Sequence, residues 1–358
     1  MQRSVRPVSR HGDAVISRVD TALAGFLDGR AKGLAPLGAD LVPVAEVARR
    51  FVLDGGKRLR PTFAYWGWRA VRDEGDDDGL ITAAASLELL HACALVHDDV
   101  MDASDTRRGQ PAAHAAFAQL HRDAGWSGDP DVFGTAAAIL LGDLLLSWAD
   151  AMFAAAVPGG GPAREVYDDM RQLVMAGQYL DVLVQARGAF SADEALRVIE
   201  FKTSKYTVEG PLHLGAAIAG APPEVFAALS AYGLPLGEAF QLRDDVLGVY
   251  GDPARTGKPA GDDLREGKQT LLTALALADA GPEQAQLLRR GVGDRELDDA
   301  RVAELRDVIV ATGALDRVEQ RIADRAAQAR AALAAPVISP AARAALDALI
   351  DAATVRRA

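Results

Sequence analysis

Three aspartates follow an apolar segment that is rich in leucine and alanine. Asp98, Asp99 and Asp102 lie at its end. Residues four apart share one face of a helix, so the carboxylates of Asp98 and Asp102 point in the same direction. Like charges at a helix C-terminus repel one another and oppose the helix dipole, by a few tenths to about 1 kcal/mol for each interaction. A divalent cation would reverse this penalty, and an all-oxygen donor set favours Mg²⁺, which shares its coordination shell with phosphate.

Two groups of cations accompany the acidic cluster. Arg107 and Arg108 follow it closely, and arginine side chains bind the oxygens of a diphosphate in a bidentate manner. Lys57 and Arg60 lie at the start of a helix predicted from Pro61, where the helix dipole disfavours positive charge. Their presence is explained if an anion binds there, held by both side chains and by backbone N–H groups. The sequence therefore predicts two anion sites.

A second acidic pair lies in another apolar helical segment. Asp244 and Asp245 are followed by a basic loop and then by Asp262, Asp263 and Lys268. A second acidic motif that faces the first would hold one metal-bound diphosphate from both sides.

The elements that must position these residues are helices. Helical periodicity recurs from about Asp13 onward, and strand-type β-branched runs are scarce. Helices are predicted over Ala14–Leu27, Leu41–Val52, Pro61–Arg72, Leu80–Asp102, Gly109–His121, Thr135–Ala155, Pro162–Gln185, Ala192–Gly215, Glu224–Tyr250, Lys268–Ala280 and Asp298–Thr312, with a closing pair from Ala314 to Arg357. The pattern predicts one all-α domain over residues 14–358 after a flexible tail at 1–13. Thr135–Ala155 is apolar on almost every side, which is typical of a core helix or a subunit interface.

The composition of the 358 residues excludes several classes of protein. Lysine and arginine number 39 against 50 acidic residues, and the net charge of −11 provides no basic surface for nucleic acid. The single cysteine, Cys93, excludes an internal disulfide and favours a reducing compartment. No uncharged stretch reaches the roughly 18 residues that span a bilayer, and no apolar segment follows the N-terminal arginines as in a signal peptide. We expect a soluble, cytoplasmic protein that does not span a membrane.

The motifs occur in a specific order between Phe51 and Thr273. They are GGKRLRP, DDVMDASDTRRG, GQYLD, KTSKY, FQLRDD and GKPAGDDLREGK. With these motifs the sequence resembles the trans-type isoprenyl diphosphate synthases of the polyprenyl synthetase family, and most of all geranylgeranyl diphosphate synthases. The resemblance implies a single large helical bundle around a central cavity (the isoprenoid synthase type), a homodimer, and about three Mg²⁺ ions in each active site.

The family motifs assign roles to individual residues. The implied metal ligands are Asp98, Asp99, Asp102, Asp181, Asp244, Asp245 and Asp263. The implied ligands of the allylic diphosphate are Arg107, Lys202 and Lys258, and those of isopentenyl diphosphate are Lys57, Arg60, His91 and Arg108. Lys268 is a further substrate-binding residue, and the oxygens of Thr203 and Gln241 face the reacting cation. The implied catalytic set is Asp98, Asp102, Arg107, Lys202, Thr203, Gln241, Asp244 and Lys258.

Two positions depart from the family pattern. Gly248 stands where many members carry a third aspartate, so this position supplies no metal ligand. Asp262 directly precedes Asp263, which leaves open which of the two carboxylates reaches the metal.

The resemblance implies that isopentenyl diphosphate condenses with dimethylallyl, geranyl or farnesyl diphosphate. Loss of the allylic diphosphate gives a carbocation, the isopentenyl double bond attacks it, and the released diphosphate takes the proton. Cys93 and Ala94, five and four residues before the first motif, occupy positions that line the floor of the product cavity in this family. Both are small, which favours geranylgeranyl diphosphate as the product, with farnesyl or longer diphosphates as alternatives.

Three other classes of protein fit part of the pattern. A class I terpene cyclase also has an acidic motif, but it needs no second diphosphate site such as Lys57 and Arg60 provide. A metal-dependent phosphohydrolase needs more metal-ligating histidines than the six scattered ones of this chain. A non-catalytic partner subunit of a heteromeric synthase usually lacks residues of the acidic motifs, and this chain retains them.

Overall fold

The computed structural model describes residues 10–72, 77–188, 190–252 and 261–355. Lys258, a predicted ligand of the allylic diphosphate, lies outside the described residues. The chain forms two compact units, one from Met1–Val166 with Pro211–Ala221 and one from Tyr167–Gly210 with Pro222–Ala358. That residues 14–358 form a single domain stays a prediction.

The described elements are almost all helical, which confirms the predicted all-α class. The α-helices are α1 Arg10–Leu34, α2 Val42–Leu53, α3 Leu59–Arg69, α4 Asp78–Met101, α5 Ala113–Ala124, α6 Pro130–Ala156, α7 Gly161–Arg187, α8 Ala192–Val198, α9 Gly210–Ile218, α10 Pro223–Tyr250, α11 Asp262–Arg265, α12 Leu271–Asp279, α13 Pro282–Gly291, α14 Asp299–Ala311, α15 Ala314–Ala332 and α16 Pro340–Thr354. Two 3₁₀ turns occupy Ala35–Leu37 and Ala39–Leu41, a π-helix occupies Ile199–Glu209, and the strands β1 Thr106–Arg107 and β2 Gln110–Pro111 form a small antiparallel hairpin.

Helix α4 lies in the core of the first unit and carries the first acidic motif at its C-terminal end. The carboxylate of Asp77 caps its first turn by accepting hydrogen bonds from the backbone N–H groups of Gly79 and Leu80. Its leucines and alanines are mostly buried, and α6 packs along it. A polar or charged side chain on α4 is therefore held at a fixed place by an apolar scaffold.

Close approaches between helices in the first unit depend on glycine. A Cβ atom at Gly67 of α3 would lie 2.0 Å from the carbonyl oxygen of Leu212, and one at Gly215 of α9 would lie 1.8 Å from that of Ala64. Both distances are far below van der Waals contact, so α3 and α9 pack backbone to backbone.

Two helices of the first unit, α4 and α6, are long and apolar enough to cross a membrane, judged by length and composition. The most apolar window of α4 is 72% buried, as expected for a core helix. The corresponding window of α6 is only 39% buried, and Val132, Ile139 and Leu140 are exposed along it. Helix α6 is therefore longer than the helix predicted over Thr135–Ala155, and apolar side chains are exposed along one side of it.

The second unit is built on α10, which packs against the π-helix and α15. Gly237 of α10 faces Ser204, where an added Cβ would lie 2.4 Å from the Cα atom, and Gly233 faces Glu209. The single helix predicted over Ala192–Gly215 is wrong in this respect, because the segment is divided into α8, the π-helix and α9. Propensity and periodicity do not signal a π-helix, whose hydrogen bonds differ only in spacing.

Candidate active site

The first acidic motif presents its three aspartates differently. Asp98 and Asp102 are half-buried, whereas Asp99 is fully buried. Both Nε and Nη2 of Arg107 donate to Oδ1 of Asp99, with the Nε distance at 2.7 Å. Burial raises the pKa of Asp99 and the hydrogen bonds and charge of Arg107 oppose this shift. Asp98 and Asp102 are therefore the carboxylates available at the surface of this motif, and Asp99 holds Arg107.

The chain turns sharply after α4 and returns through the β1–β2 hairpin. Ala103 and Arg108 have positive φ values of 50° and 55°, which is unusual for residues other than glycine. Arg107 lies in β1 and its Nη2 is 3.6 Å from Oδ2 of Asp98. The hairpin thus brings a guanidinium group beside the acidic cluster, as the sequence predicted.

Several arginine side chains act electrostatically on His91, two turns before Asp98 on α4. Burial lowers the pKa of His91 well below its ordinary value, and the positive charges of Arg60, Arg108 and Arg107 lower it further. His91 is therefore neutral and keeps one N–H group to donate. The structure brings these predicted diphosphate ligands together, and Lys57 is exposed at the adjoining loop.

Cys93 and Ala94 lie one turn before the acidic motif. Cys93 is buried, and its Sγ atom is 3.8 Å from Nδ1 of His97. Nε2 of His97 lies 3.1 Å from the carbonyl oxygen of Ile139 in α6. The His97 ring occupies space that a side chain at Gly142 would otherwise fill. The role of Cys93 and Ala94 in chain length stays a prediction.

In the second unit, α7 and the π-helix hold a close ion pair. Nζ of Lys202 lies 2.6 Å from Oδ2 of Asp181. The two helices approach so closely here that a Cβ atom at Gly177 would lie only 2.7 Å from the backbone nitrogen of Lys202. The glycine of the GQYLD motif therefore allows the aspartate of the same motif to reach its lysine.

A hydrogen-bonded chain links the π-helix to the second acidic motif. The hydroxyl of Thr203 donates to Oε1 of Gln241 at 2.6 Å, and Nε2 of Gln241 donates to Oδ1 of Asp245 at 2.8 Å. Asp245 is buried, and this burial raises its pKa to about 7 in spite of the Gln241 hydrogen bond. Asp244, its neighbour on α10, is half-buried.

Asp263 and Lys268 lie next to this motif. Nζ of Lys268 is 3.1 Å from Oδ1 of Asp263 and 3.0 Å from Oε2 of Glu266. Burial alone would lower the pKa of Lys268, but the two carboxylates outweigh it and raise the pKa. A Cβ atom at Gly248 would lie 1.8 Å from Oδ2 of Asp263. Asp263 therefore packs against α10 in space that Gly248 leaves open, whereas Asp262 is half-buried.

The donor set fits Mg²⁺ by its chemistry. The predicted ligands are all carboxylates, Oδ2 of Asp99 is buried without a hydrogen-bond partner among the described residues, and Asp245 is held in an environment that penalises its charge. Within the described ranges no three His, Cys, Asp or Glu side chains already converge to hold a metal. Mg²⁺ usually needs only one or two protein carboxylates, because phosphate and water complete its shell.

Two residues with a bearing on the site escaped the sequence analysis. Glu88 is buried in α4 three residues before His91, and it accepts a hydrogen bond from the buried Arg58. The available signal was a lone acid within an apolar helical run, which requires a buried cationic partner.

The sequence model of the polyprenyl synthetase family matches residues 43–309. The chain belongs to the polyprenyl synthetase family. An octaprenyl diphosphate synthase of Escherichia coli is 34% identical over 303 residues, which are 84% of this chain and 86% of the relative. A geranylfarnesyl diphosphate synthase of Aeropyrum pernix is 33% identical over 304 residues, 83% of this chain and 89% of the relative.

A solved structure of a polyprenyl synthetase supports the same assignment. The geranylgeranyl pyrophosphate synthase of Corynebacterium glutamicum, complexed with isoprenyl diphosphate and magnesium, has a TM-score of 0.93 and 43% identity, and the match covers 96% of this chain and 99% of that chain. The protein thus has the isoprenoid synthase fold and is a prenyltransferase, a trans-polyprenyl diphosphate synthase, as predicted. The three relatives are named for products of different length, so family membership does not define the product of this enzyme.

Proposed function

We propose that the enzyme condenses isopentenyl diphosphate with an allylic diphosphate, head to tail and in trans, and that its main product is geranylgeranyl diphosphate. The observation that carries this proposal is the pairing of two sites in the first unit. The half-buried carboxylate of Asp98 lies 3.6 Å from Arg107, Asp102 follows one turn later, and a separate cationic group with Arg60 and Arg108 acts on the neutral His91. A reaction of two diphosphates requires such a pair of sites, whereas a cyclase requires one.

The carboxylates of Asp98, Asp102 and Asp244 are proposed to bind Mg²⁺ together with the allylic diphosphate. Bound Mg²⁺ supplies Lewis-acid stabilisation of the negative charge on the departing diphosphate. Arg107, held in place by Asp99, and Lys202, held in place by Asp181, are the cationic side chains proposed to donate charge-assisted hydrogen bonds to the allylic diphosphate. These side chains are oriented before substrate arrives, so little reorganisation accompanies bond cleavage.

Lys57, Arg60 and Arg108 are proposed to bind the diphosphate of isopentenyl diphosphate, to which His91 donates its single N–H. This orients the double bond toward the allylic cation, and Thr203 and Gln241 offer oxygen atoms near it. The proton released after bond formation passes to the inorganic diphosphate that has left the allylic substrate, because that leaving group stays next to the new carbon–carbon bond.

The proposed product length is supported by small residues and by one relative. Cys93 and Ala94 carry no bulky group that would stop elongation early. The geranylgeranyl synthase of Corynebacterium glutamicum is 43% identical to this chain. Farnesyl or longer diphosphates are the alternative products.

We further propose that the enzyme is a cytoplasmic homodimer. The exposed apolar residues Val132, Ile139 and Leu140 lie along one side of α6. A second copy of the chain would remove this surface from water. A two-fold axis would place the same helix of both copies at the interface.

A product assay tests the proposed function. Purified enzyme, Mg²⁺ and labelled isopentenyl diphosphate are combined with dimethylallyl, geranyl or farnesyl diphosphate in turn, and chain lengths are determined after dephosphorylation. We expect products up to geranylgeranyl and none in a matched Asp98→Ala variant. Longer products would contradict the proposed length alone. No condensation by a folded enzyme would refute the function and favour a partner subunit.

A further inference from the structure

Arg58 has an unusual place in the loop before α3. Its φ of 48° lies in the left-handed region, and Gly55 and Gly56 before it have φ values of 90° and 103°. The Arg58 side chain runs inward and is only 4% exposed. A non-glycine residue keeps such a conformation only when surrounding interactions hold it there.

Those interactions use all three nitrogen atoms of the guanidinium group. Nη1 donates to Oε2 of Glu88 at 2.8 Å, Nε donates to Oδ1 of Asp20 at 2.8 Å, and Nη2 lies 3.4 Å from the carbonyl oxygen of Leu53. Glu88 is 5% exposed, so its pair with Arg58 is shielded from water and from salt. Arg58 thereby ties the loop to α1, α2 and α4 together.

The tied loop carries substrate ligands on both sides of Arg58. Lys57 precedes it directly and Arg60 follows two residues later. Glu88 lies three residues before His91 on α4, so the two side chains share one face of that helix. The Arg58–Glu88 pair therefore connects the loop with Lys57 and Arg60 to the helix face with His91.

Arg108 joins the same arrangement from the hairpin side. A Cβ atom at Gly56 would lie 3.3 Å from Nη1 of Arg58 and 3.3 Å from Nη2 of Arg108. The two guanidinium groups thus flank Gly56. Burial lowers the pKa of Arg108, and the charge of the Glu88 carboxylate opposes this shift. Glu88 is a buried counter-charge that allows several cations to gather at this place.

We propose that Arg58 and Glu88 are positioning residues for the isopentenyl diphosphate site, where they fix the backbone of residues 55–60 so that Lys57 and Arg60 face the diphosphate. The proposal rests on the proposed function, since it assigns a substrate to this site. Neither residue is proposed to contact that substrate, because both side chains are buried and paired with each other.

The test separates positioning from stability with a double variant. Replacing one member of a buried pair leaves an uncompensated charge, whereas replacing both with apolar residues of similar size often preserves folding. Arg58→Met is therefore compared with Arg58→Met/Glu88→Leu and with the conservative Arg58→Lys. The matched control is Arg49→Met, which breaks an exposed ion pair with Asp28 in the same unit.

For each variant, the melting temperature, kcat and the KM values of both substrates are measured. We expect Arg58→Met to raise the KM for isopentenyl diphosphate by about tenfold or more, as small displacements of binding groups do, with the allylic KM nearly unchanged. The double variant should regain the wild-type melting temperature but keep the raised KM. Arg58→Lys should lie between wild type and Arg58→Met, and Arg49→Met should match wild type.

Binding of inorganic diphosphate to the metal-free protein, measured by calorimetry, gives a readout that needs no catalysis. We expect the affinity of wild type to exceed that of the double variant by a similar factor. If the double variant regains both melting temperature and KM, or if both substrates are affected equally, the positioning role is refuted. A wild-type protein that binds diphosphate but does not condense the substrates would refute the proposed function instead.

Discussion

Replacing Asp245 with asparagine removes a carboxylate that is buried in the second unit, where the residue is only 7% exposed. Burial raises the pKa of Asp245 from 3.8 to about 7, and the nearby Asp263 adds to the effect. The folded protein therefore retains this proton at pH values where the unfolded chain has lost it. The group contributes stability at low pH, and this contribution is lost as the pH rises toward 7.

The magnitude follows from the pKa. Between pH 5 and the pKa of about 7, the folded protein holds a proton that the unfolded chain has lost. Each of these two pH units lowers the free energy of unfolding by about 1.4 kcal/mol. Metal-free wild-type protein should thus lose about 3 kcal/mol of unfolding free energy relative to Asp245→Asn over this range. Because Asp245→Asn has no carboxylate here, its stability should not show this decline.

Urea denaturation in the presence of a chelator at pH 5 and pH 8 measures both proteins. Asp169→Asn, which makes the same exchange at an exposed position of α7, is the control and should follow wild type. Saturating Mg²⁺ at pH 8 should stabilise wild type more than Asp245→Asn, because a cation offsets the buried charge. An identical pH dependence in wild type and Asp245→Asn would refute the reasoning.

Three other substitutions have defined outcomes. Gly248→Ala should displace the Asp263 carboxylate and raise the Mg²⁺ concentration for half-maximal activity by about tenfold, whereas Gly25→Ala, with no atom within 4 Å of its added Cβ, should have no effect. Leu140→Asp replaces an apolar side chain of α6 that is 68% exposed with a charged one, and it should yield monomers in sedimentation velocity. A dimer that persists in this variant would exclude that face of α6 as the interface. Cys93→Phe should shorten the products in the chain-length assay, and unchanged products would show that Cys93 does not line the cavity.

The all-α fold was predictable because apolar residues recur with helical period throughout the chain. Even Pro235 did not break α10, since the surrounding pattern continues across it. The π-helix was not predictable, because its hydrogen bonds differ from those of an α-helix only in spacing, and neither propensity nor periodicity signals that difference. The β1–β2 hairpin was also missed, since strands of two residues are too short to show alternation.

The acidic motifs were visible in the sequence because they oppose local stability. Asp98 and Asp102 repel each other at a helix end, so their presence required another explanation. Glu88 was visible only as a lone acid in an apolar helical run, and its partner Arg58 lies 30 residues away in the sequence, so the pair itself was not predictable. Pairing between distant residues depends on the tertiary fold, and a single sequence does not reveal it.

The left-handed turn before α3 also bears on the entropy of substrate binding. Three of its four residues, Gly55, Gly56 and Arg58, adopt positive φ values, and the ion pairs of Arg58 with Asp20 and Glu88 hold this backbone in place. Ordering the backbone of a flexible loop costs about 1–2 kcal/mol for each residue, and here that cost is met during folding. A diphosphate that binds beside this turn should therefore lose little affinity to loop ordering, so that a small anion can bind with useful strength through few contacts.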